Sequence, residues 1–253
     1  MTDIERTGEF TGKTVLITGG SRGMGKQMAH AFATRGANIV VASRKLDNCR
    51  SVADELITKH GVRVLPIGFN ASSWDDCDRL VEESYAEFGS VDVLINNAGI
   101  SPHYPSLVEV NQELFDKVIA VNLRGPFRLS AVVGTRMAEG DGGSIISIGS
   151  IEAIRPQPEA LPYAAAKSGL HVLTEGFAQA FGPKVRVNTI QAGPFLTDIS
   201  TNWSEGLREE MEQKVALGRC AEADEIVGAA LYFASSASSF TTGALLRVDG
   251  GWK

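Results

Sequence analysis

Thr14-Val15-Leu16-Ile17-Thr18-Gly19-Gly20-Ser21-Arg22-Gly23-Met24-Gly25 begins as a short apolar run and continues directly into a glycine-rich turn. A helical pattern follows, because Met24, Met28 and Phe32 recur at every fourth position. A glycine turn between a strand and a helix N-terminus lets backbone N–H groups approach a pyrophosphate. The stretch therefore predicts a phosphate-binding strand–turn–helix unit, although its spacing, Gly-x-x-x-Gly-x-Gly, differs from the usual dinucleotide fingerprint.

The same alternation of strand and helix continues along the chain. Further β-branched runs predict strands at Ile39–Ala42, Val62–Ile67, Val91–Ile95, Ser144–Ile148, Val185–Ile190 and Ala244–Val248. Helical patterns separate them at Leu46–His60, Trp74–Phe88, Leu107–Ala138 (with a break near Gly125-Pro126), Leu161–Phe181 and Asp224–Ala234. Strands that are apolar throughout and separated by helices indicate an α/β fold: a doubly wound parallel sheet of about seven strands with helices on both faces. We expect one domain over residues 1–253, with 1–12 as a flexible tail and 195–217 as a substrate lid.

Composition narrows the partners. The chain has 253 residues and a net charge of −6, which argues against nucleic acid or an anionic membrane as the partner. No apolar run approaches the roughly 18 residues that a membrane helix needs. The three cysteines, Cys49, Cys77 and Cys220, are far apart and have no metal-ligand spacing. We expect a cytoplasmic protein that acts on a small molecule and holds no metal.

The end of the second predicted strand bears on the cofactor. Domains that bind NAD usually place an acidic residue there to hold the ribose 2′-hydroxyl. Here the residues are Ser43 and Arg44, which could hold a 2′-phosphate, and Arg22 in the glycine turn could reach the same group. The sequence predicts NADP(H) as the preferred cofactor, with NAD(H) as the alternative. The other interpretation is that Arg44 is a solvated charge at the start of a helix.

A tyrosine and a lysine stand four residues apart in the helix predicted from Leu161. This spacing places Tyr163 and Lys167 on one face, one turn apart, where the ammonium favours the phenolate. Ser150 follows the fifth strand and could hold a substrate oxygen against the phenol. Asn122 lies in the middle of a predicted helix, although asparagine is a poor helix former. We expect these side chains at the carboxyl edge of the sheet, where open α/β sheets bind ligands.

Together these motifs resemble the single-domain short form of the short-chain dehydrogenase/reductase family, over nearly the whole chain from residue 12. The resemblance implies a Rossmann-type sheet and a catalytic tetrad of Asn122, Ser150, Tyr163 and Lys167. In this family the tyrosine is the acid/base, the serine positions the substrate oxygen, the lysine binds the nicotinamide ribose and lowers the tyrosine pKa, and the asparagine holds a water. The cofactor residues that the motifs and the resemblance imply are Gly19, Ser21, Arg22, Gly23, Met24, Gly25, Ser43, Arg44, Asn70, Ala71, Asn97, Ala98, Gly99, Tyr163, Lys167, Gly193 and Thr197. The C-terminal segment Arg247–Gly251 resembles members that pack as tetramers, so we expect a homotetramer or homodimer.

The expected activity is hydride transfer between a nicotinamide and a carbonyl or secondary alcohol, with the physiological direction open. A non-redox regulator or pseudo-enzyme on the same fold is the alternative, and the intact tetrad argues against it. An epimerase or dehydratase of the longer related group is a third interpretation, but the chain has no length for an additional substrate domain. The side chains expected near the substrate are His103, Tyr104, Glu152, Phe195 and Trp203. A pairing of Glu152 with Arg155 is the alternative for that carboxylate.

Overall fold

The computed structural model describes residues 8–197, 200 and 205–253. The strands of the described part are β1 (Thr14–Thr18), β2 (Asn38–Ser43), β3 (Val64–Gly68), β4 (Val93–Asn96), β5 (Gly143–Ser150), β6 (Val185–Ala192), β7 (Phe195–Leu196), β8 (Ala221–Glu222) and β9 (Leu245–Val248). Seven of them form one parallel sheet in the order β3-β2-β1-β4-β5-β6-β9, and β7 pairs with β8 in a separate two-stranded sheet. The predicted parallel sheet of seven strands is confirmed.

Helices cover both faces of this sheet. They are α1 (Gly23–Thr34), α2 (Leu46–His60), α3 (Trp74–Phe88), α4 (Gln112–Ile119), α5 (Gly125–Glu139), α6 (Leu161–Phe181), α7 (Glu205–Lys214) and α8 (Val227–Ala234). One buried cluster joins the sheet to α1, α2 and α8, and a second joins the opposite face to α3, α5 and α6. The fold is therefore doubly wound, as the alternation predicts. None of the helices in the described part has the length and hydropathy to cross a membrane.

The long helix predicted over Leu107–Ala138 is divided. A short 3₁₀ turn at Leu107–Glu109 comes first, and a π-helical turn at Ala120–Arg124 then connects α4 to α5. The change of helix type therefore comes directly before Gly125-Pro126, near the predicted break. Pro126 is tolerated at the start of α5, where its missing N–H matters least.

The predicted flexible tail over residues 1–12 lies partly outside the described residues, because 1–7 are not among them. The described end of that segment is packed. Phe10 is 3% exposed and meets Phe32 of α1 edge to face, with ring centroids 5.0 Å apart. The packed core therefore begins earlier in the chain than the sequence suggests, since one aromatic ring anchors this segment.

The segment predicted as a lid, residues 195–217, has secondary structure at both ends of its described part. It begins with β7 and ends with α7 and an isolated bridge between Val215 and Trp252, while residues 198, 199 and 201–204 lie outside the described part. Neither β7 nor α7 is expected from the sequence. Two residues are too few for a period-2 pattern, and α7 is strongly polar.

Candidate active site

The glycine turn after β1 is closely packed against the end of β4. The Asn97 amide donates to Thr18 O at 2.9 Å and to Gly19 O at 3.2 Å, which connects the two strand ends. A Cβ on Gly25 would collide with Gly19 O and would lie 2.6 Å from Asn97 Nδ2. Gly19 has φ +66 and Gly23 has φ +50, a region that favours glycine. The turn therefore requires glycine for backbone conformation and for space.

A cleft of about 930 Å³ opens at the carboxyl edge of the sheet beside this turn. Most of the cofactor residues predicted from the sequence line it: Gly19, Ser21, Arg22, Gly23, Met24, Ser43, Arg44, Asn70, Ala71, Asn97, Ala98, Gly99 and Thr197. Its size, its glycine cradle and the N-terminus of α1 fit a dinucleotide. Gly25 lies behind the turn against Gly19, where it allows the close approach. Gly193 is outside the lining, and its glycine is explained by packing because a Cβ there would lie 2.6 Å from Asp249 Cα.

The sequence did not point to several other residues of the lining: Lys45, Asn48, Gly68, Phe69, Ser72, Asp76, Ile100, Lys117 and Val121. Lys45 and Asn48 could have been found, since they directly follow Arg44 at the start of α2. They add a cation and an amide to the corner of the cleft in which Ser21 Oγ and Ser43 Oγ are hydrogen-bonded at 2.7 Å. This corner is rich in donors, as an anionic group requires.

Asn70, one of the predicted cofactor residues, has its side-chain oxygen already occupied by hydrogen bonds within its own loop. Asn70 Oδ1 accepts hydrogen bonds from Ser72 N at 3.2 Å and Ser72 Oγ at 2.8 Å. Its backbone N–H donates to Asp76 Oδ2 at 2.8 Å. The Asn70 side chain therefore shapes the loop after β3, and its amide N–H₂ remains the more accessible polar group toward the cleft.

Ser150 and Tyr163 meet beyond the end of β5. Ser150 is the last residue of β5, and Tyr163 lies in the first turn of α6. The Ser150 hydroxyl lies close enough to Tyr163 to lower the pKa of the phenol, and Ser150 Oγ accepts the Glu152 N–H at 3.2 Å. Tyr163 is half-buried and Ser150 is 8% exposed. The pair forms a small, mostly desolvated group of hydroxyls that can reach one substrate oxygen.

Lys167 lies one turn after Tyr163 and is buried. Its ammonium donates to Ile148 O at 2.7 Å and lies 5.5 Å from the centroid of the Tyr163 ring. A Cβ on Gly99 would lie 3.7 Å from Lys167 Nζ and 2.9 Å from Asn122 Oδ1. The loop after β4, the π turn and α6 therefore converge on Gly99, which lets a flat ligand approach the ammonium closely.

Asn122 lies in the π turn and is fully buried. Its amide donates to Ile100 O at 2.8 Å and to Val118 O at 2.9 Å, and its oxygen accepts the Ile100 N–H at 3.1 Å. The side chain thus fastens the loop after β4 to the helix. Asn122 Oδ1 and Lys167 Nζ both lie close to Gly99.

The pKa of Tyr163 shifts in the opposite direction from the one that its spacing to Lys167 suggests. Burial raises it to about 12, the hydrogen bond from Ser150 lowers it, and the Glu152 carboxylate raises it further. Burial also lowers the pKa of Lys167 to about 8. Desolvation determines the direction of both shifts, because both charged forms lose water. The phenol is therefore protonated at neutral pH.

The predicted substrate residues lie in different environments. His103 is exposed, and the Tyr104 hydroxyl donates to Pro158 O at 2.6 Å and accepts the Leu161 N–H at 2.9 Å, which links this loop to α6. Glu152 is half-buried near Tyr163. Phe195 is 5% exposed and packs in the core beneath the sheet, so it offers little surface to a ligand. Trp203 lies outside the described residues.

Comparison with known proteins identifies the family. A family model described as enoyl-(acyl carrier protein) reductase matches residues 19–253. L-Rhamnose 1-dehydrogenase (NAD(P)(+)) of Azotobacter vinelandii is 38% identical over 247 residues, which cover 94% of this chain and 96% of the relative. The chain belongs to the short-chain dehydrogenase/reductase family. This family member is also 36% identical to the 3-oxoacyl-[acyl-carrier-protein] reductase FabG of Chlamydia muridarum, over 94% of this chain and 96% of that protein.

Solved structures of family members agree with this assignment. A short-chain type dehydrogenase/reductase from Mycobacterium marinum superposes with a TM-score of 0.89 at 31% identity, covering 98% of both chains. A blue fluorescent protein from a metagenomic library, solved in complex with NADPH, superposes with a TM-score of 0.90 at 31% identity, over 96% of this chain and 98% of that chain. This short-chain dehydrogenase/reductase is an NAD(P)-dependent oxidoreductase. The relatives support that activity and not the non-redox alternative.

Proposed function

We propose that this oxidoreductase prefers NADP(H) and that Tyr163 exchanges the proton with the oxygen of a carbonyl or secondary alcohol. The observation that carries the proposal is the placement of Tyr163 next to Ser150, with the Lys167 ammonium buried one turn away and 5.5 Å from the centroid of the Tyr163 ring. When bound, the nicotinamide supplies or accepts the hydride. The chain's own residues bind and orient the substrate and move the proton.

In the reducing direction, the Tyr163 hydroxyl donates its proton to the substrate carbonyl oxygen, on which negative charge develops as the C=O double bond becomes a single bond. The Ser150 hydroxyl donates a hydrogen bond to the same oxygen and holds it against the phenol. The pKa of Tyr163, raised to about 12 by burial, keeps the phenol in its proton-bearing form at neutral pH. In the oxidising direction Tyr163 would act as the base, which requires the phenolate.

The lysine and asparagine have supporting roles in this proposal. Lys167 presents its ammonium beside Gly99, where it can hydrogen-bond the ribose of a bound cofactor. Asn122 fixes the loop after β4 through three backbone hydrogen bonds, which keeps Gly99 within reach of Lys167. A rigid arrangement of this kind reduces reorganisation during the reaction.

The corner of the cleft at the end of β2 supports the NADP preference. Arg44 and Lys45 are exposed side chains that line the cleft, and β2 ends without a carboxylate. The nearest carboxylate of the lining, Asp76, is engaged by Arg79 at 3.1 Å and by the Asn70 N–H at 2.8 Å. Two cations around a serine pair favour a phosphate over a free hydroxyl. One relative named above is described as using NAD(P)(+), and a structural neighbour binds NADPH.

The domain organisation, the assembly and the compartment of the protein are further proposals. We propose a single domain over 1–253 in which 195–217 covers the substrate. An assembly of two or four copies is supported by β9 at the sheet edge, where Leu245 is 38% exposed, and by the exposed Phe127 and Val172 on α5 and α6. The three cysteines are buried and free, which supports the cytoplasm as the compartment.

Cofactor kinetics test the central proposal. The purified protein is assayed with NADPH and NADH on a panel of ketones and aldehydes, and with both oxidised cofactors on the matching alcohols. We expect turnover, with kcat/KM for NADPH at least about tenfold above that for NADH. Turnover with a clear preference for NADH would overturn the NADP assignment. Cofactor binding without turnover on the whole panel would overturn the proposed chemistry.

A further inference from the structure

Glu152 is the charged side chain that the structure places beside the proposed proton donor without a stated role. It lies in a 3₁₀ turn, Ile151–Ala153, directly after β5, and its backbone N–H donates to Ser150 Oγ at 3.2 Å. Its carboxylate is close enough to act electrostatically on the Tyr163 hydroxyl. Glu152 is therefore next to the two hydroxyl-bearing residues that meet the substrate oxygen in the proposed reaction.

The Glu152 carboxylate keeps one oxygen available. Oε2 accepts the Gln157 N–H at 2.7 Å, and Oε1 has no hydrogen-bond donor among the described residues. The pairing with Arg155 expected as an alternative is absent there, and Arg155 is exposed. Lys214 of α7 acts on the carboxylate only at longer range, since its ion pair is with Glu210. A half-buried carboxylate with a free oxygen is a strong acceptor that lacks a donor.

We propose that Glu152 selects the substrate class: a neutral, hydroxyl-bearing carbonyl compound such as a ketose or other polyol, bound with a hydroxyl next to the reacting carbon on Glu152 Oε1. This inference rests on the proposed function. A hydroxyl supplies the missing donor, whereas a plain ketone leaves the acceptor unpaired inside the site. A free carboxylate or phosphate near the reacting carbon is repelled by the Glu152 charge.

A neutral donor fits better than a cationic one. The Lys214 ammonium acts electrostatically on Glu152 and offsets part of its negative potential, which weakens the attraction for a substrate ammonium. Glu159 adds negative charge nearby but is exposed, so solvent screens it more strongly. The local field thus favours a hydrogen-bond donor without net charge.

Matched ketones test this inference. We would measure kcat/KM with NADPH for acetoin against butanone, for hydroxycyclohexanone against cyclohexanone, and for anionic acetoacetate against butanone. The variants are Glu152→Ala, Glu152→Gln, which keeps an acceptor for Gln157 N–H, and Glu159→Gln as the matched control. Ratios measured in variant and wild type cancel the higher intrinsic reactivity of the hydroxy ketones.

We expect Glu152→Ala to lower the hydroxy-to-plain ratio roughly 10- to 100-fold, the effect of one hydrogen bond to a charged group. The Glu152→Gln variant should lower it less, both variants should raise the acetoacetate-to-butanone ratio, and Glu159→Gln should change neither. Substrate ratios of the Glu152 variants that stay within about twofold of wild type, or that all fall together, would overturn the inference. Turnover in the same assays would still support the proposed function. Absence of turnover on the whole carbonyl and alcohol panel would instead overturn the proposed function.

Discussion

Replacing Gly25 with alanine should open the glycine turn. The new Cβ would collide with Gly19 O and would lie 2.6 Å from Asn97 Nδ2, so the turn must move away from the end of β4. This movement breaks the two Asn97 hydrogen bonds to Thr18 O and Gly19 O, each worth about 1 kcal/mol. Overpacking adds about 1–3 kcal/mol. We expect Gly25→Ala to lower the free energy of unfolding by about 3–5 kcal/mol.

Gly176→Ala is the matched control for this change. Gly176 lies in α6, and a Cβ there would meet no atom within 4 Å. The same added methyl group should therefore stabilise the protein by about 0.5–1 kcal/mol through helix propensity. Both variants are compared by urea unfolding and by NADPH fluorescence titration. If Gly25→Ala matches wild type in stability and in NADPH affinity, the close-packed turn is not what holds the cofactor.

Three other predictions concern charged groups. Arg44→Ala should raise the KM for NADPH roughly 10- to 100-fold and leave the KM for NADH nearly unchanged. Arg50→Ala, on the exposed side of α2, is the control and should change neither KM. Equal effects of Arg44→Ala on both cofactors would contradict the 2′-phosphate role. Lys167→Met should abolish turnover yet raise stability at pH 7 by on the order of 1–3 kcal/mol in thermal unfolding. The reason is that the folded state lowers the pKa of Lys167 from 10.5 to about 8 and therefore disfavours the charged amine. The stability of the wild type should accordingly rise as the pH increases from about 8 to 10.5. Arg219→Ala should lower the stability of the protein at pH 7 but not below about pH 2. The reason is that Arg219 holds the pKa of Glu225 at about 2, so the stabilising contribution of this ion pair is lost as the pH falls from 4.5 through 2. A difference in stability between variant and wild type that stays the same in acid would refute this.

Most of the fold follows from local sequence patterns. The β-branched runs that predict strands are buried on both sheet faces, so their apolar continuity is a direct result of the parallel architecture. The π turn at Ala120–Arg124 has no such signal. It depends on the Asn122 amide reaching Ile100 O on a different element, and no local period encodes that contact.

The site shows the same limit. Spacing alone places Tyr163 and Lys167 one turn apart and predicts that the ammonium acidifies the phenol. The net direction of the pKa shift depends on how much water both groups lose, and burial is set by the surrounding fold. Glu152 is visible in the sequence, but its free oxygen follows from which backbone N–H binds the other one.

Tyr163→Phe tests the central claim most directly, because it removes only the hydroxyl and keeps the ring beside Lys167. In single-turnover reduction of a ketone with NADPH bound, we predict a rate roughly 10²- to 10⁴-fold below wild type, as expected for loss of a general acid. NADPH affinity should stay within about twofold, since Tyr163 is next to Ser150 and is not among the residues that line the cofactor cleft. A rate within about tenfold of wild type would show that another group supplies the proton and would contradict this account.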